Sequence, residues 1–245
     1  MVNIKYLIDV NGTSERNYLL DPVHKFGFNP ALASNGYETI WNTGGLYPWA
    51  SWAGAAKAIF AKSAEGADTG EITVEGLDGN YNKVTETKTM TGETAVQLSN
   101  TYKRITRASY TGSANAGDIT LHIGSGTGTV VATLEAGLGQ TQLGIYTIPA
   151  GFTAYLLNYT GSVGKNDDAT LRLFTADGGV EVQDFQVLSE IKLFESTFRQ
   201  DLAFGAKLPE KTDIDFRAIT ASAGSELIVN FELMLVDDSR EYIPN

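Results

Sequence analysis

Between Glu71 and Val236 the chain alternates apolar and polar residues in short runs, separated by clusters of Gly, Asn, Ser and Thr. Ile119-Thr120-Leu121-His122-Ile123, then Gly124-Ser125-Gly126-Thr127-Gly128, then Val130-Val131-Ala132-Thr133-Leu134 reads as strand, turn, strand. A period of two buries one face of each segment and wets the other, so the pattern predicts strands. Such segments are expected over 71–75, 84–91, 102–110, 118–123, 129–134, 142–148, 152–159, 169–174, 180–188, 214–221 and 227–236. Short strands at this spacing predict an all-β protein, an antiparallel β-sandwich with very little helix. Leu227, Val229, Phe231, Leu233 and Leu235 share one face, which places the last strand centrally in the core. Thr85-Glu86-Thr87-Lys88-Thr89 is a polar strand with at least one wet face.

Residues 1–67 have a different texture and are expected to form an irregular N-terminal arm, with residues 68–245 as the sandwich domain. Within the arm, Val2 to Val10 fits a strand, Asn11-Gly12 a turn, and the run Tyr18-Leu19-Leu20 stops at Asp21-Pro22. Ala53 to Lys62 fits a short helix or a short strand equally well. Between Gly36 and Trp52 lie all three tryptophans, Trp41, Trp49 and Trp52, together with Tyr37 and Tyr47. Two explanations stand for that density. The rings seal one end of the sandwich, since aromatics bury the most apolar surface per residue. Alternatively Trp41, Tyr47, Trp49 and Trp52 form a contact surface for assembly, because Trp and Tyr dominate interface hot spots.

The 245 residues suffice for a sizeable core, and 26 glycines fit many tight turns. Cysteine is absent, which removes disulfides, thiolate zinc sites and Cys nucleophiles. Eighteen basic against 29 acidic residues give a net charge of −11, which argues against nucleic acid or an anionic membrane as partner. The basic residues Lys103, Arg104 and Arg107 do not make a groove either, as Arg104 and Arg107 fall on opposite faces of a strand. The first residues lack a secretion-type apolar stretch, and no window reaches the roughly 18 apolar residues of a membrane span.

Candidate chemistry is sparse. The Gly124–Gly128 cluster precedes β-branched residues, not a helix, so it is expected as a hairpin turn and not a phosphate loop. His24 and His122 have no sequence partners for a metal or a catalytic triad, and no metal or cofactor is expected. Asp213 and Asp215 share a strand face about 6–7 Å apart, a separation compatible with paired-carboxylate hydrolysis. Beside Pro209 and Lys211, however, they are expected on a solvated edge. Asn166-Asp167-Asp168 and Asp237-Asp238 could offer oxygens to calcium, but they lack EF-hand spacing and are expected as turn residues.

Several phrases occur in order along the chain: Glu38-Thr39-Ile40-Trp41, Gly76-Leu77-Asp78-Gly79-Asn80-Tyr81-Asn82, Thr85-Glu86-Thr87, Gly117-Asp118-Ile119, Tyr146 to Tyr155, and Pro209 to Ile214. In these the chain resembles a family of virion structural proteins from tailed bacteriophages, particularly of aquatic hosts. The resemblance implies a non-enzymatic, jelly-roll-like particle component with no catalytic residue to carry over. Its expected role is capsid decoration or a head-fibre subunit, with a neck or tail component as the alternative. Expected partners are the major capsid protein or neck and tail proteins, and further copies of the chain, a trimer being favoured. The expected location is the capsid surface of the virion, after synthesis in the host cytoplasm. A carbohydrate-binding jelly-roll module is the reading from another class. Exposed, coplanar Trp49 and Trp52 rings would mark it, whereas buried rings would mark assembly. A glycan-cleaving enzyme would need a cleft holding two acids.

Overall fold

Strand β16 (Ser225–Asp237) organises the first of two cores. It pairs antiparallel with β1 (Leu20–Leu32) on one side and β11 (Phe152–Val163) on the other. Its inward row, Leu227, Val229, Phe231, Leu233 and Leu235, is almost fully buried, as the alternation required. The computed structural model describes residues 20–111, 114–164, 167–179 and 184–239. The expected strand over Val2 to Val10 and its Asn11-Gly12 turn lie outside the described residues.

One sheet has the order β1-β16-β11-β14, with β14 spanning Thr197–Leu208. The facing sheet has β15 (Thr212–Thr220) at its centre, then β12 (Asp168–Asp177) and β13 (Gln186–Phe194). The other edge of β15 is covered by two short collinear strands, β2 (Glu38–Thr39) and β10 (Ile145–Thr147). They are halves of one strand. Thr39 pairs with Arg217 and Ile145 with Asp215, while between them Ile40 N donates to Phe216 O and Phe216 N to Gly144 O. Counted so, the sheets pair eight strands as first-eighth-third-sixth and second-seventh-fourth-fifth. That is the order of two interlocked Greek keys, a jelly roll.

The chain leaves the jelly roll in the middle of its second strand and returns through Leu143, which bridges to Trp41. The inserted residues build a second sandwich. One sheet has the order β6-β3-β8-β9, from Val96–Tyr102, Lys57–Ser63, Ile119–Ile123 and Val130–Leu134. The other is β5-β4-β7, from Lys83–Thr89, Glu71–Leu77 and Arg104–Thr111. A separate core, including Ile59, Ile72, Val74, Leu98, Leu121 and Val131, lies between them.

Two corrections concern the first 67 residues. They are not one irregular arm, because Leu20–Leu32 is a long strand of the jelly roll and Lys57–Ser63 belongs to the insertion. Hydrogen bonding accordingly does not divide near residue 67. Strand β1 accommodates Pro22 because it is the last strand of its sheet, and Pro30 because it falls where the pairing with β16 shifts register between Asn29 and Leu32. Ala53 to Lys62 resolves as strand from Lys57, and the only helical turn near it is a single 3₁₀ turn at Trp49–Trp52. The turn phrases behave as their residues dictate. Asp78 Oδ1 accepts from the N–H groups of Asn80 and Asn82, and Gly151 takes a positive φ of 75°.

The neck of the insertion depends on two glycines. A Cβ on Gly27 would lie 2.3 Å from both Gly144 N and Ile40 O, and one on Gly144 would lie 2.6 Å from Ile40 O. Backbone atoms cannot yield at such distances as a side chain can. Gly27→Ala is therefore expected to destabilise the protein by about 1–3 kcal/mol or more, read as a fall in thermal midpoint. An unchanged midpoint would show that the neck is loosely packed.

Candidate functional site: the junction between the sandwiches

The aromatic segment sits where the insertion meets the jelly roll. Trp41, Tyr47, Trp49 and Trp52 are 3%, 2%, 6% and 1% exposed. Trp41 and Tyr47 meet edge-on at 5.1 Å, and Tyr47 and Trp49 at 4.7 Å. Phe185 extends the stack from the jelly roll side, 5.3 Å from Trp49. The rings thus fill an internal junction, and reaching a second molecule through them would require the junction to open. They offer no flat, exposed platform.

Against the rings lies a group of buried charges. Asp213 and Asp215 project from one face of β15 and are both fully buried, which corrects the expected solvated edge. The reason is the insertion, which covers the outer face of the sheet at this end of β15. Arg104, 3% exposed on β7, reaches across from the inserted sandwich. Its Nε donates to Asp213 Oδ1 at 2.9 Å and its Nη2 to Asp213 Oδ2 at 2.7 Å. Thr147 Oγ1 also donates to Asp213, and Arg104 Nη1 donates to Lys103 O at 2.7 Å. The guanidinium stands over the rings of Trp49 and Tyr81, 5.4 and 5.7 Å from their centres.

Asp215 has a different set of partners. Its Oδ2 accepts from Trp49 Nε1 at 2.8 Å, Arg217 Nε at 2.7 Å and Thr39 Oγ1 at 3.3 Å. Burial pushes its carboxyl pKa up, opposed by Arg217 and by these donors. Both carboxylates are therefore enclosed in ion pairs of their own. With no surface open to solvent, the pair has no cleft in which a glycosidic bond could sit between them.

A second crossing runs from β1. Lys25 points into the insertion, is 8% exposed, and donates through Nζ to Thr106 O on β7. Burial first, and the Arg107 charge second, push its pKa down to about 7, with Glu75 opposing. Two clefts open on either side of this strut. One, of about 290 Å³, holds Asp21, Glu75, Lys83 and Tyr146 along its walls and shares His24, Lys25 and Arg107 with the other. The other, of about 270 Å³, is lined by His24, Lys25, Phe26, Arg107, Gln140 and Thr141.

The remaining candidates are local. His122 bonds Gly128 O at 2.9 Å and Thr120 Oγ1 at 2.8 Å inside the hairpin that joins β8 to β9, so the glycine cluster is a turn. His24 faces Glu232 at 3.7 Å. Asp168 opens β12, and Asp237 Oδ1 accepts from Ser239 N at 2.9 Å in a turn. Asn166 lies outside the described residues. Arg104 and Arg107, expected on opposite faces, share one: β7 bulges at Thr106, so Arg104 pairs with Leu77 and Arg107 with Glu75, two residues apart on β4, while Ile105 and Ala108 both turn into the core. Sequence reasoning passed over Lys25 altogether, and it missed that Arg104 finds its partner 109 positions away.

Fold and junction define the class as an all-β jelly roll carrying a second β-sandwich inserted within one strand. No family model and no curated protein matches the chain. Among solved structures, the infectious bursal disease virus Gx strain aligns at a TM-score of 0.29 and 10% identity, over 91% of this chain and 73% of that one. The Gt strain of that virus aligns at 0.22 and 9% identity, over 94% and 79%. The CBM22-1–GH10 modules of Clostridium thermocellum xylanase 10B, complexed with xylohexaose, align at 0.22 and 10% identity. That alignment covers 78% of this chain but 30% of the xylanase chain. Similarities this low say nothing about function, and the jelly-roll assignment stands on strand order alone.

Two measurements probe the junction. Arg104→Leu and Asp213→Leu are each expected to cost about 3–5 kcal/mol by stranding a buried charge, while the double variant costs clearly less than their sum. Additive losses in denaturant unfolding would mean that the two groups do not act as a pair. For Lys25, a folded pKa near 7 against an ordinary 10.5 means that the unfolded chain binds a proton the native state lacks between those values. Stability should therefore rise as pH increases from about 7 toward about 10, and Lys25→Met should flatten that rise.

Proposed function

We propose that the chain is a non-enzymatic structural protein of a bacteriophage virion, a capsid decoration or head-fibre subunit that works through contacts between subunits. The observation that carries this reading is the rim where both jelly-roll sheets end. Strands β13 and β14 are the last strands of their sheets, and neither has an outer neighbour among the described residues. Val187, Leu188, Phe194 and Phe198 stand there between 44% and 64% exposed. Apolar side chains along unpaired strand edges are the features that chain association covers. The sticky surface is thus this rim, while the tryptophans serve inside the chain.

Two further features agree. The ordered phrases in which the chain resembles tailed-phage virion proteins fall in both sandwiches. A net charge of −11 suits the outside of a DNA-filled head better than its lumen, where packaged phosphate would repel it. In this reading the partners are the major capsid protein and other copies of the chain, with a trimer favoured, and the protein resides on the capsid surface. Burial of Trp49 and Trp52 favours assembly over the sugar-platform alternative.

The native mass of the purified protein is expected to be a multiple of the 26.3 kDa chain, and the protein is expected to co-sediment with phage heads. Phe194→Asp combined with Phe198→Asp should shift the mass to the monomer without altering the far-ultraviolet spectrum. A monomeric wild type that ignores heads and tails alike, or turnover of a glycan, would overturn the proposal.

A further inference from the structure

The 270 Å³ cleft beside β1 is unusual for so acidic a protein. Its lining carries the cations Lys25 and Arg107, the ring of His24, the amide of Gln140 and the hydroxyl of Thr141, and no carboxylate. Neither Lys25 nor Arg107 makes an ion pair among the described residues. Lys25 donates to the Thr106 carbonyl, and Arg107 Nη2 donates to Gln140 Oε1 at 3.2 Å. Both cations also line the neighbouring 290 Å³ cleft, where Glu75 is the carboxylate that favours the Lys25 charge. On the 270 Å³ side, however, they face no anion among the described residues, and two adjacent cations there repel each other unless an anion is bound.

We infer that this cleft is a binding site for a small oxyanion, phosphate or carboxylate, held between the Lys25 ammonium and the Arg107 guanidinium. An ammonium has three N–H donors and Lys25 uses one on Thr106, which leaves two for a ligand. The guanidinium offers a planar fork suited to either oxyanion. Phe26 supplies an apolar wall, and the volume suits an ion or a single sugar acid but nothing polymeric. Because the cleft lies where β1 meets β7, an occupant would also tie the jelly roll to its insertion. The site is independent of the apolar rim on β13 and β14 and of the virion reading built on it.

The charged groups that face Lys25 define how binding should respond to pH. Arg107 on β7 disfavours its charge and Glu75 on β4 favours it. Asp21 is engaged by Lys83, and His24 by Glu232 at 3.7 Å. An anion between the two cations restores the proton on Lys25, whose pKa stands near 7 in the free protein, so binding should take up a proton just above that pH.

The test is calorimetric titration of the full-length protein with inorganic phosphate and, separately, with glucuronate, at constant ionic strength with chloride as control. Saturable binding of one of them, with heats that vary with buffer ionisation enthalpy above pH of about 7, is the expected result. The arm that binds distinguishes a phosphate from a sugar carboxylate. Arg107→Gln, at an exposed position that does not threaten folding, should weaken binding by about tenfold or more. Lys25→Met should abolish the proton uptake, whereas His24→Gln should leave it. Absence of saturable binding in both arms, or unchanged affinity in Arg107→Gln, would overturn the inference.

Discussion

The arrangement of the two sandwiches depends on the bidentate contact between Arg104 and Asp213. One charge is supplied by the inserted sandwich and the other by the central strand of a jelly-roll sheet, and both are withdrawn from water. Two buried charges gain little net stability from meeting, because desolvation offsets most of their attraction. They gain direction. A guanidinium satisfied by both oxygens of one carboxylate accepts only one docking geometry, and any other relative placement leaves an uncompensated charge in the junction. Trp49 then serves two neighbours at once, lying under the Arg104 guanidinium and donating its N–H to Asp215.

The place of insertion explains why so much polar chemistry is concentrated there. A domain inserted in a loop can hang on a flexible tether, whereas this one interrupts a strand that remains in register with β15 on both sides of the break. The chain enters and leaves within one antiparallel bridge, Trp41 to Leu143. Rotation about such a neck would break hydrogen bonds on both sides of it. Gly27 and Gly144 allow β1 to press directly on that neck, so the first strand acts as a brace as well as a sheet edge. The two sandwiches have separate cores joined by a rigid polar interface.

Surface chemistry is divided correspondingly. The apolar side chains left uncovered lie largely on β13 and β14, at the opposite edge of the jelly-roll sheets from β1 and the insertion. Lys25 and Arg107, which form no salt bridge among the described residues, lie in the cleft between β1 and β7. The exposed apolar edge and the cationic cleft thus lie apart on the molecule.

Alternation in the sequence was sufficient for the all-β class, for the central place of β16 and for the Gly124–Gly128 hairpin. Each of these is set by a period of two or by turn residues acting over a few positions. Strand β1 was hidden by its prolines, which are tolerated at a sheet edge and at a break in register, and β14 by its bulge around Gly205, which breaks the period. The charged junction was invisible for a different reason. Asp213 and Asp215 look like surface residues until a guanidinium more than a hundred positions away, and a whole inserted sandwich, cover them. Local pattern decides which face of a strand is apolar, but whether a polar residue meets water is decided by what the distant chain places in front of it.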